Sequence, residues 1–272
     1  MSNVSSLVAP NAPDEPVNGA QGDTDLVGKL QRMLEDFPIG ASLPSEQALA
    51  DELGVSRLTV REALKVLAGR GLAEISRGRR AVVTEPSSDV ISSIFAAYVK
   101  RDPSTMLELV EVRQALEVQS VTLAARKATR AGLSAMEAAI DDMRRAAEEF
   151  ENAAPGSTDE QRAKVAYQKA DVTFHEAIAL ASGNRMLAHV LEALEESLLQ
   201  SFNASFDGHL IRGGKALDAF EAHNQIFQHI KARDVRKAAS AMKQHLQQAE
   251  QDLRTGIAET GPTAIRRQLT PL

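Results

Sequence analysis

One carboxylate and three imidazoles stand at spacings that could chelate a metal ion. Asp171 and His175 are four residues apart in a helical segment, so both side chains project from one helix face about one turn apart. His223 and His245 lie eleven residues before and after a break at Asp234, which predicts the same height in an antiparallel helix pair. Such a ligand set suits zinc, with nickel or manganese as alternatives, and leaves open positions for water or a ligand.

The same residues admit other interpretations. A histidine on a helix is more often a hydrogen-bonded core or surface group than a metal ligand, so the spacing alone leaves a structural role open. Three further histidines have no comparable partners in the sequence and are interpreted as structural: His189, His209 and His229. Three imidazoles and a carboxylate can also activate water. The chain has no His-Glu-x-x-His motif and no evident separate general base, so we expect it not to be an enzyme.

A second pattern predicts a helix-turn-helix that enters DNA. It consists of LPSE at residues 43–46 and LGVSRLTVREAL at residues 53–64. Ser45 and Ser56 are each placed to cap a helix, and Gly54 supplies the permissive backbone of the turn between them. Two helices joined by such a turn are typical of proteins that read the major groove.

Two arginines on the second of these helices are placed for contact with a duplex. Arg57 and Arg61 lie one turn apart, and the apolar positions fall on another face: Val60, Leu64 and Leu67. The whole chain has a net charge of −6, but residues 56–84 contain seven basic and two acidic side chains. Such a local excess of positive charge is the electrostatic footprint of a phosphate-binding surface.

The surrounding segments complete a winged helix-turn-helix. Apolar residues recur at helical spacing over residues 26–37, which predicts a packing helix before the motif. Residues 72–75 and 81–84 predict short strands joined by a turn at residues 76–79, a hairpin wing with a basic tip. Beside the recognition helix, this tip could contact the DNA backbone or the minor groove.

The rest of the chain predicts an all-α antiparallel bundle, so the fold class is mainly α. Six helices are expected, at residues 103–130, 133–151, 159–182, 185–203, 214–232 and 234–256. Glycine marks four of the breaks between these helices, and the fourth is placed at Asp207-Gly208 with Gly213-Gly214. The whole chain divides into a disordered tail (1–24), a winged helix-turn-helix domain (25–85), a linker or first helix (86–102), a helical effector-binding and dimerisation domain (103–256) and a C-terminal tail (257–272).

Composition sets further expectations. The chain of 272 residues is long enough for two cores, and it has no cysteine, which suits a reducing compartment. No apolar run approaches the length of a membrane span, and the first residues lack a signal sequence. We therefore expect a cytoplasmic protein without a membrane partner.

Together these motifs resemble the GntR superfamily of bacterial transcription regulators, and the helical half is similar to its FadR branch. The resemblance implies a homodimer whose second motif helix enters the major groove of a palindromic double-stranded operator. It implies DNA contacts from Ser56, Arg57, Thr59, Arg61, Arg77 and Gly78. Gln47 stands where members of the branch often have a basic residue, so one phosphate or base contact is expected to be weaker or replaced by an amide hydrogen bond.

The FadR branch commonly carries an Asp-x-x-x-His pair followed by two later histidines, which Asp171, His175, His223 and His245 match. Arg113 matches an arginine that is similar to a carboxylate clamp, although a surface ion pair with Glu117 is the alternative. The resemblance thus implies a repressor that senses a small carboxylate through a metal-containing helical domain. A metal-independent sensor of acyl groups, a mere interaction platform and a hydrolase fused to a DNA-binding module are the alternatives.

Overall fold

The computed structural model describes residues 19–84, 88–102 and 104–268, and the chain divides into two compact units, Met1–Ser87 and Ser88–Leu272. Within the described ranges, no helix is both long enough and apolar enough to cross a bilayer. The predicted tail at residues 1–24 lies outside the described residues up to residue 18. Its last six residues already belong to a helix, because the helix that buries Leu26 and Leu30 extends back across two glycines to Gly19.

The first unit is a winged helix-turn-helix. Its elements are α1 (Gly19–Glu35), α2 (Glu46–Leu53), α3 (Arg57–Gly69), β1 (Ala73–Glu74) and β2 (Val82–Val83). Ser45 begins α2 by accepting a hydrogen bond from the backbone N–H of Ala48, and Ser56 begins α3 by accepting one from Thr59. Gly54 ends α2 at φ 67°, a left-handed conformation that favours glycine. Both predicted caps and the predicted turn are therefore present.

The core of this unit joins all three helices to the wing. Leu30 of α1, Leu49 of α2 and Leu67 of α3 are buried together with Val83 of β2. The strands pair antiparallel, with Ala73 opposite Val83, and the turn between them contains Gly78 at φ 75°. Packing on the helices thus fixes where the wing begins and ends.

The second unit is a helical bundle. Its helices are α4 (Asp89–Arg101), α5 (Thr105–Lys127), α6 (Arg130–Asn152), α7 (Thr158–Ala181), α8 (Arg185–Ile211), α9 (Ala216–Lys231) and α10 (Val235–Gln268). Short connections join consecutive helices from α5 onward. The main core contains buried side chains of six of them, represented by Val121, Met143, Phe174, Phe206, Phe227 and Met242.

Helix α8 continues through the predicted break at Asp207-Gly208, so that part of the prediction is wrong. Gly208 is needed for packing, because a Cβ there would overlap with the backbone oxygen of Asp252 on α10. The reciprocal position is Gly256 on α10, where a Cβ would overlap with the backbone oxygen of Ala204. The backbones of α8 and α10 thus touch directly, and α8 ends only at Ile211, before Gly213 at φ 84°.

Helix α10 also runs past residue 256, where the sequence predicts a loose tail. It reaches Gln268, and Leu253 and Ile257 pack near its middle against a cluster that contains Val99 and Met106. Leu253 lies within the predicted helix, and Ile257 is the first residue of the predicted tail, whose composition alone does not reveal a helix. Residues 269–272 lie outside the described residues.

We expect Gly208→Ala to destabilise the second unit by about 2 kcal/mol or more, because the added methyl group must push two helix backbones apart. Urea unfolding followed by circular dichroism measures this loss. Gly28→Ala is the control, since a Cβ at that helical glycine meets nothing closer than the Arg32 side chain at 3.6 Å. Its stability should be unchanged or slightly raised. A Gly208→Ala protein as stable as wild type would contradict the direct backbone contact.

Candidate functional site

The N-terminus of α3 presents the residues for which DNA contacts are expected. Ser56 caps the helix, and its hydroxyl lies 2.7 Å from the hydroxyl of Thr59. Arg57 and Arg61 lie on the solvent face, with 60% and 44% of their side chains exposed. A capped helix end with two exposed guanidinium groups can bind phosphate through its N–H groups, its dipole and its side chains.

Glu46 of α2 connects these two arginines, a role that the sequence analysis missed. Arg61 donates to it through Nε (2.9 Å) and Nη2 (2.7 Å), and Arg57 donates through Nε (2.8 Å). The hydrogen bond from Arg61 outweighs partial burial and, together with Arg57, lowers the pKa of Glu46 to about 2. Glu46 stood in the LPSE motif, but its contacts span eleven and fifteen residues and cross two helices. Spacing along one helix cannot predict them.

The wing supplies further positive charge to the same surface. Arg77, Gly78, Arg79 and Arg80 line a groove together with Arg57, Arg61 and Lys65. In the described part of the chain, none of the three wing arginines forms an ion pair. Gln47 lies at the edge of this groove, where its amide donates to Asp51 at 2.8 Å. The amide is thus engaged within α2 rather than extended from it.

The second unit brings three histidines together from three helices. Ring nitrogens of His175 (α7), His223 (α9) and His245 (α10) all lie within 4.8 Å of one another. Asp171, one turn before His175, places Oδ1 at 2.8 Å from Nε2 of His223 and 3.3 Å from Nε2 of His175. Neighbouring ligands of one ion have such separations when the bonds are about 2.0–2.2 Å. The group can therefore surround a single cation.

The hydrogen bonding around the rings also fits a metal. His223 donates from Nδ1 to the carbonyl of Ala219 at 2.7 Å, and Nδ1 of His175 lies against Oε2 of Glu117. Metal-binding histidines commonly engage their second nitrogen in this way. Among the described residues, Nε2 of both rings and Oδ1 of Asp171 are buried and lack an aligned hydrogen bond, despite their proximity. Buried donors and acceptors without partners are rare unless an ion or a ligand satisfies them.

Electrostatics set the protonation of this group. Burial disfavours a charged His175, but the carboxylates of Glu117 and Asp171 outweigh it and raise the pKa of His175 to about 9. Burial also opposes ionisation of Asp171, yet His223 and His175 hold the pKa of Asp171 well below its usual range. Burial and the charges of His223 and His175 both lower the pKa of His245. His245 is thus neutral at pH 7 and has a free lone pair.

Arg113 of α5 lies beside the histidines, and its side chain is only 1% exposed. It donates from Nε to Glu117 at 2.7 Å, and its guanidinium carbon lies 4.4 Å from the centre of the Phe202 ring. The ion pair with Glu117 is thus real, but it is buried, so the alternative of a surface pair is wrong. Nη2 of Arg113 is buried and has no hydrogen-bond partner within the described ranges. One edge of the guanidinium remains available to an anion.

A cavity of about 100 Å³ joins Arg113 to the histidine group. Its walls include Tyr167 of α7, Phe202 and Phe206 of α8, and the metal-site residues Asp171, His223 and His245. His209 also lines the cavity and pairs with Asp252 at 3.2 Å, a partner that the sequence did not reveal. That pair joins α8 to α10 across 43 residues, a distance along the chain that no local pattern reveals.

Two families match this chain. Residues 24–83 match the family described as bacterial regulatory proteins, gntR family, and residues 108–248 match the FCD domain. The structure of Streptococcus agalactiae GntR is similar to this one, with a TM-score of 0.64 and 25% identity over 84% of this chain and 98% of that chain.

Curated relatives are regulators rather than enzymes. The HTH-type transcriptional regulator LutR of Bacillus subtilis (strain 168) is 31% identical over 81% of this chain and 94% of its own length. The HTH-type transcriptional repressor NanR of Cronobacter sakazakii is 30% identical over 80% of both chains, and the Glc operon transcriptional activator of Escherichia coli (strain K12) is 28% identical over 82% of this chain and 85% of its own length. The chain therefore belongs to the GntR family, as a DNA-binding transcription regulator with an FCD domain as its second unit.

Proposed function

We propose that this regulator is a repressor that responds to a small carboxylate, which binds in the second unit next to a divalent transition metal, in the first instance zinc. One observation carries the proposal. Arg113, Asp171 and His223, each with a buried polar atom that lacks a partner, line one cavity, and His175 places a ring nitrogen within 4.8 Å of one on His223. A carboxylate ligand could accept two parallel hydrogen bonds from the guanidinium. Alternatively, one oxygen could accept a hydrogen bond from Arg113 while the other binds the metal.

Different side chains of the site would bind the metal and the carboxylate. Asp171, His175, His223 and His245 would hold the metal, which when bound supplies a Lewis-acidic position for an oxygen of the ligand. Arg113 would orient the carboxylate, and Glu117 keeps both Arg113 and His175 in place by contacting each of them. Glu117 is thus a positioning residue for both halves of the site.

The size of the cavity favours a small ligand over an acyl chain. Pockets for drug-sized ligands are about 300–1,000 Å³, whereas this cavity is about 100 Å³. Alanine side chains and two phenylalanine rings form its apolar walls: Ala219, Ala222, Ala249, Phe202 and Phe206. A long aliphatic chain would have to displace these walls. A short acid would fit without such a change.

Helix α8 offers a physical route from the cavity toward the DNA-binding unit. It contributes Phe202 and Phe206 to the cavity, while its Ala204 packs in the cluster that contains Val99 of α4. Helix α4 is the first helix after residues 85–87, through which the chain reaches the first unit. In a homodimer on a palindromic operator, a small change in the spacing of the two DNA-binding units lowers affinity. Ligand binding would therefore release the operator.

On DNA, α3 would enter the major groove and the wing would contact the backbone or minor groove. The groove formed by α3 and the wing carries Arg57, Arg61 and the wing arginines on one surface. Gln47 lines the same groove, and Ser56 and Thr59 lie at the N-terminus of α3, so these side chains would add polar contacts. Phosphates would then replace Glu46 as partners of at least one guanidinium.

The metal site is tested by removing one ligand. We expect wild-type protein purified without chelators to contain about one zinc, nickel or manganese ion per chain by mass spectrometry of the metal. His223→Ala should lose most of this metal and the thermal stabilisation by added carboxylates, while it keeps its affinity for DNA. His189→Ala is the control, because that exposed histidine pairs with Glu192 outside the site. Wild-type protein without stoichiometric metal would refute the site.

The DNA surface is tested on a duplex that the wild-type protein selects from random sequences. We expect Arg61→Ala to weaken binding by about 10- to 100-fold in fluorescence anisotropy and to flatten the salt dependence if the lost contact is to a phosphate. Arg144→Ala is the control, since it removes an exposed arginine of α6 that pairs with Glu148. Equal affinities of the Arg61 variant and wild type at physiological salt would remove Arg61 from the DNA surface.

A further inference from the structure

We propose that Tyr167 determines which acids this regulator senses, by hydrogen bonding to a hydroxyl group that the effector carries in addition to its carboxylate. This inference rests on the proposed function of the cavity and names the class of its ligand: short hydroxy acids. It assigns a role to a residue that neither the metal set nor the carboxylate clamp includes.

The hydroxyl of Tyr167 is buried without a partner. The residue is 2% exposed, and within the described ranges its oxygen has no hydrogen bond. Its ring packs against Phe206, with centroids 5.0 Å apart, so the side chain is held in place. A buried tyrosine normally finds a hydrogen-bond partner, because an unpaired polar group costs free energy. A partner that comes with the ligand would remove this cost.

The position of Tyr167 on α7 would allow it to contact the ligand. Tyr167, Asp171 and His175 follow one another at intervals of four residues on α7, so they lie on one face of that helix. Tyr167 lines the same cavity as Arg113 and the metal-site residues. A short acid held by Arg113 and the metal would therefore share this cavity with the Tyr167 side chain.

The other polar side chains of the cavity already have partners. Asp252 accepts hydrogen bonds from Gln248 and Arg212, and Ser205 donates to the carbonyl of Ala249. Outside the metal-site residues, the buried polar atoms of the described cavity wall that lack partners are Nη2 of Arg113 and the hydroxyl of Tyr167. Two separate unsatisfied groups, one cationic and one neutral, match a ligand with a carboxylate and one neutral polar substituent.

The hydroxyl of Tyr167 would discriminate between acids because it stays unpaired when the bound acid offers it no hydrogen-bond partner. When an acid without the substituent binds, the tyrosine hydroxyl stays buried and unsatisfied, and sites built in this way reject such analogues strongly. The loss of one such hydrogen bond corresponds to about a 10-fold change in affinity. Removal of the tyrosine hydroxyl should therefore weaken the binding of hydroxylated acids and leave the binding of plain acids unchanged.

The experiment compares three pairs of acids that differ by one hydroxyl: acetate and hydroxyacetate, propanoate and 2-hydroxypropanoate, butanedioate and 2-hydroxybutanedioate. Dissociation constants are measured by calorimetry on the zinc-loaded full-length protein. We expect wild type to prefer the hydroxylated member of at least one pair by about 10-fold or more, and Tyr167→Phe to reduce this preference by about 10-fold. Because zinc is present in both proteins, the change between them isolates the tyrosine from chelation of the metal.

Tyr98→Phe is the matched control, since it removes the same hydroxyl from a side chain that is 63% exposed. Unfolding temperature and zinc content verify that each variant is folded and loaded. If hydroxylated acids bind best and Tyr167→Phe retains the full preference, Tyr167 does not read the hydroxyl and the inference is wrong. If plain and hydroxylated acids bind equally to wild type, the inference also fails while the carboxylate site stands. If no acid binds, the proposed function fails together with it.

Discussion

The second unit depends on a buried chain of charged and polar side chains. Five side chains of α5, α7 and α9 contact one another in sequence where solvent hardly reaches them: Arg113, Glu117, His175, Asp171 and His223. A charge removed from water is costly unless an opposite charge and well-placed hydrogen bonds accompany it. A shift of one of these helices alone would therefore cost free energy, because it would leave a buried ionised group unpaired. The same constraint makes the site sensitive to any additional charge that enters it.

The first unit uses a similar balance at its surface. Two guanidinium groups one turn apart on α3 repel each other, and the carboxylate of Glu46 between them offsets this repulsion. Glu46 is partly exposed, so solvent screens the ion pairs and their contribution to stability is small. Their value is geometric, since Arg57 and Arg61 are held toward the same side of the helix before a duplex arrives. The buried chain in the second unit and the exposed group of Glu46, Arg57 and Arg61 thus differ in their contribution to stability, but both hold arginine side chains in place.

Local patterns predicted most of the elements because each has a local cause. Ser45, Gly54 and Ser56 define the caps and the turn through hydrogen bonds within four residues. The equal distances of His223 and His245 from their loop placed the two rings 4.3 Å apart, because paired helices rise at the same rate. Contacts such as those of Glu46 with Arg61 depend on how separate elements pack. No period or motif in the sequence encodes that packing.

The two glycines at the crossing of α8 and α10 have a mechanical consequence. Since main chain rests on main chain at Gly208 and Gly256, neither helix can roll or slide along the other without a steric collision. The two helices therefore behave as one rigid unit, which forms the part of the cavity wall that includes Phe202 of α8 and Asp252 of α10. A ligand that needs more room must displace α7 or α9 instead. Any movement that reaches α4 through α8 would then be a tilt of α8 and α10 together.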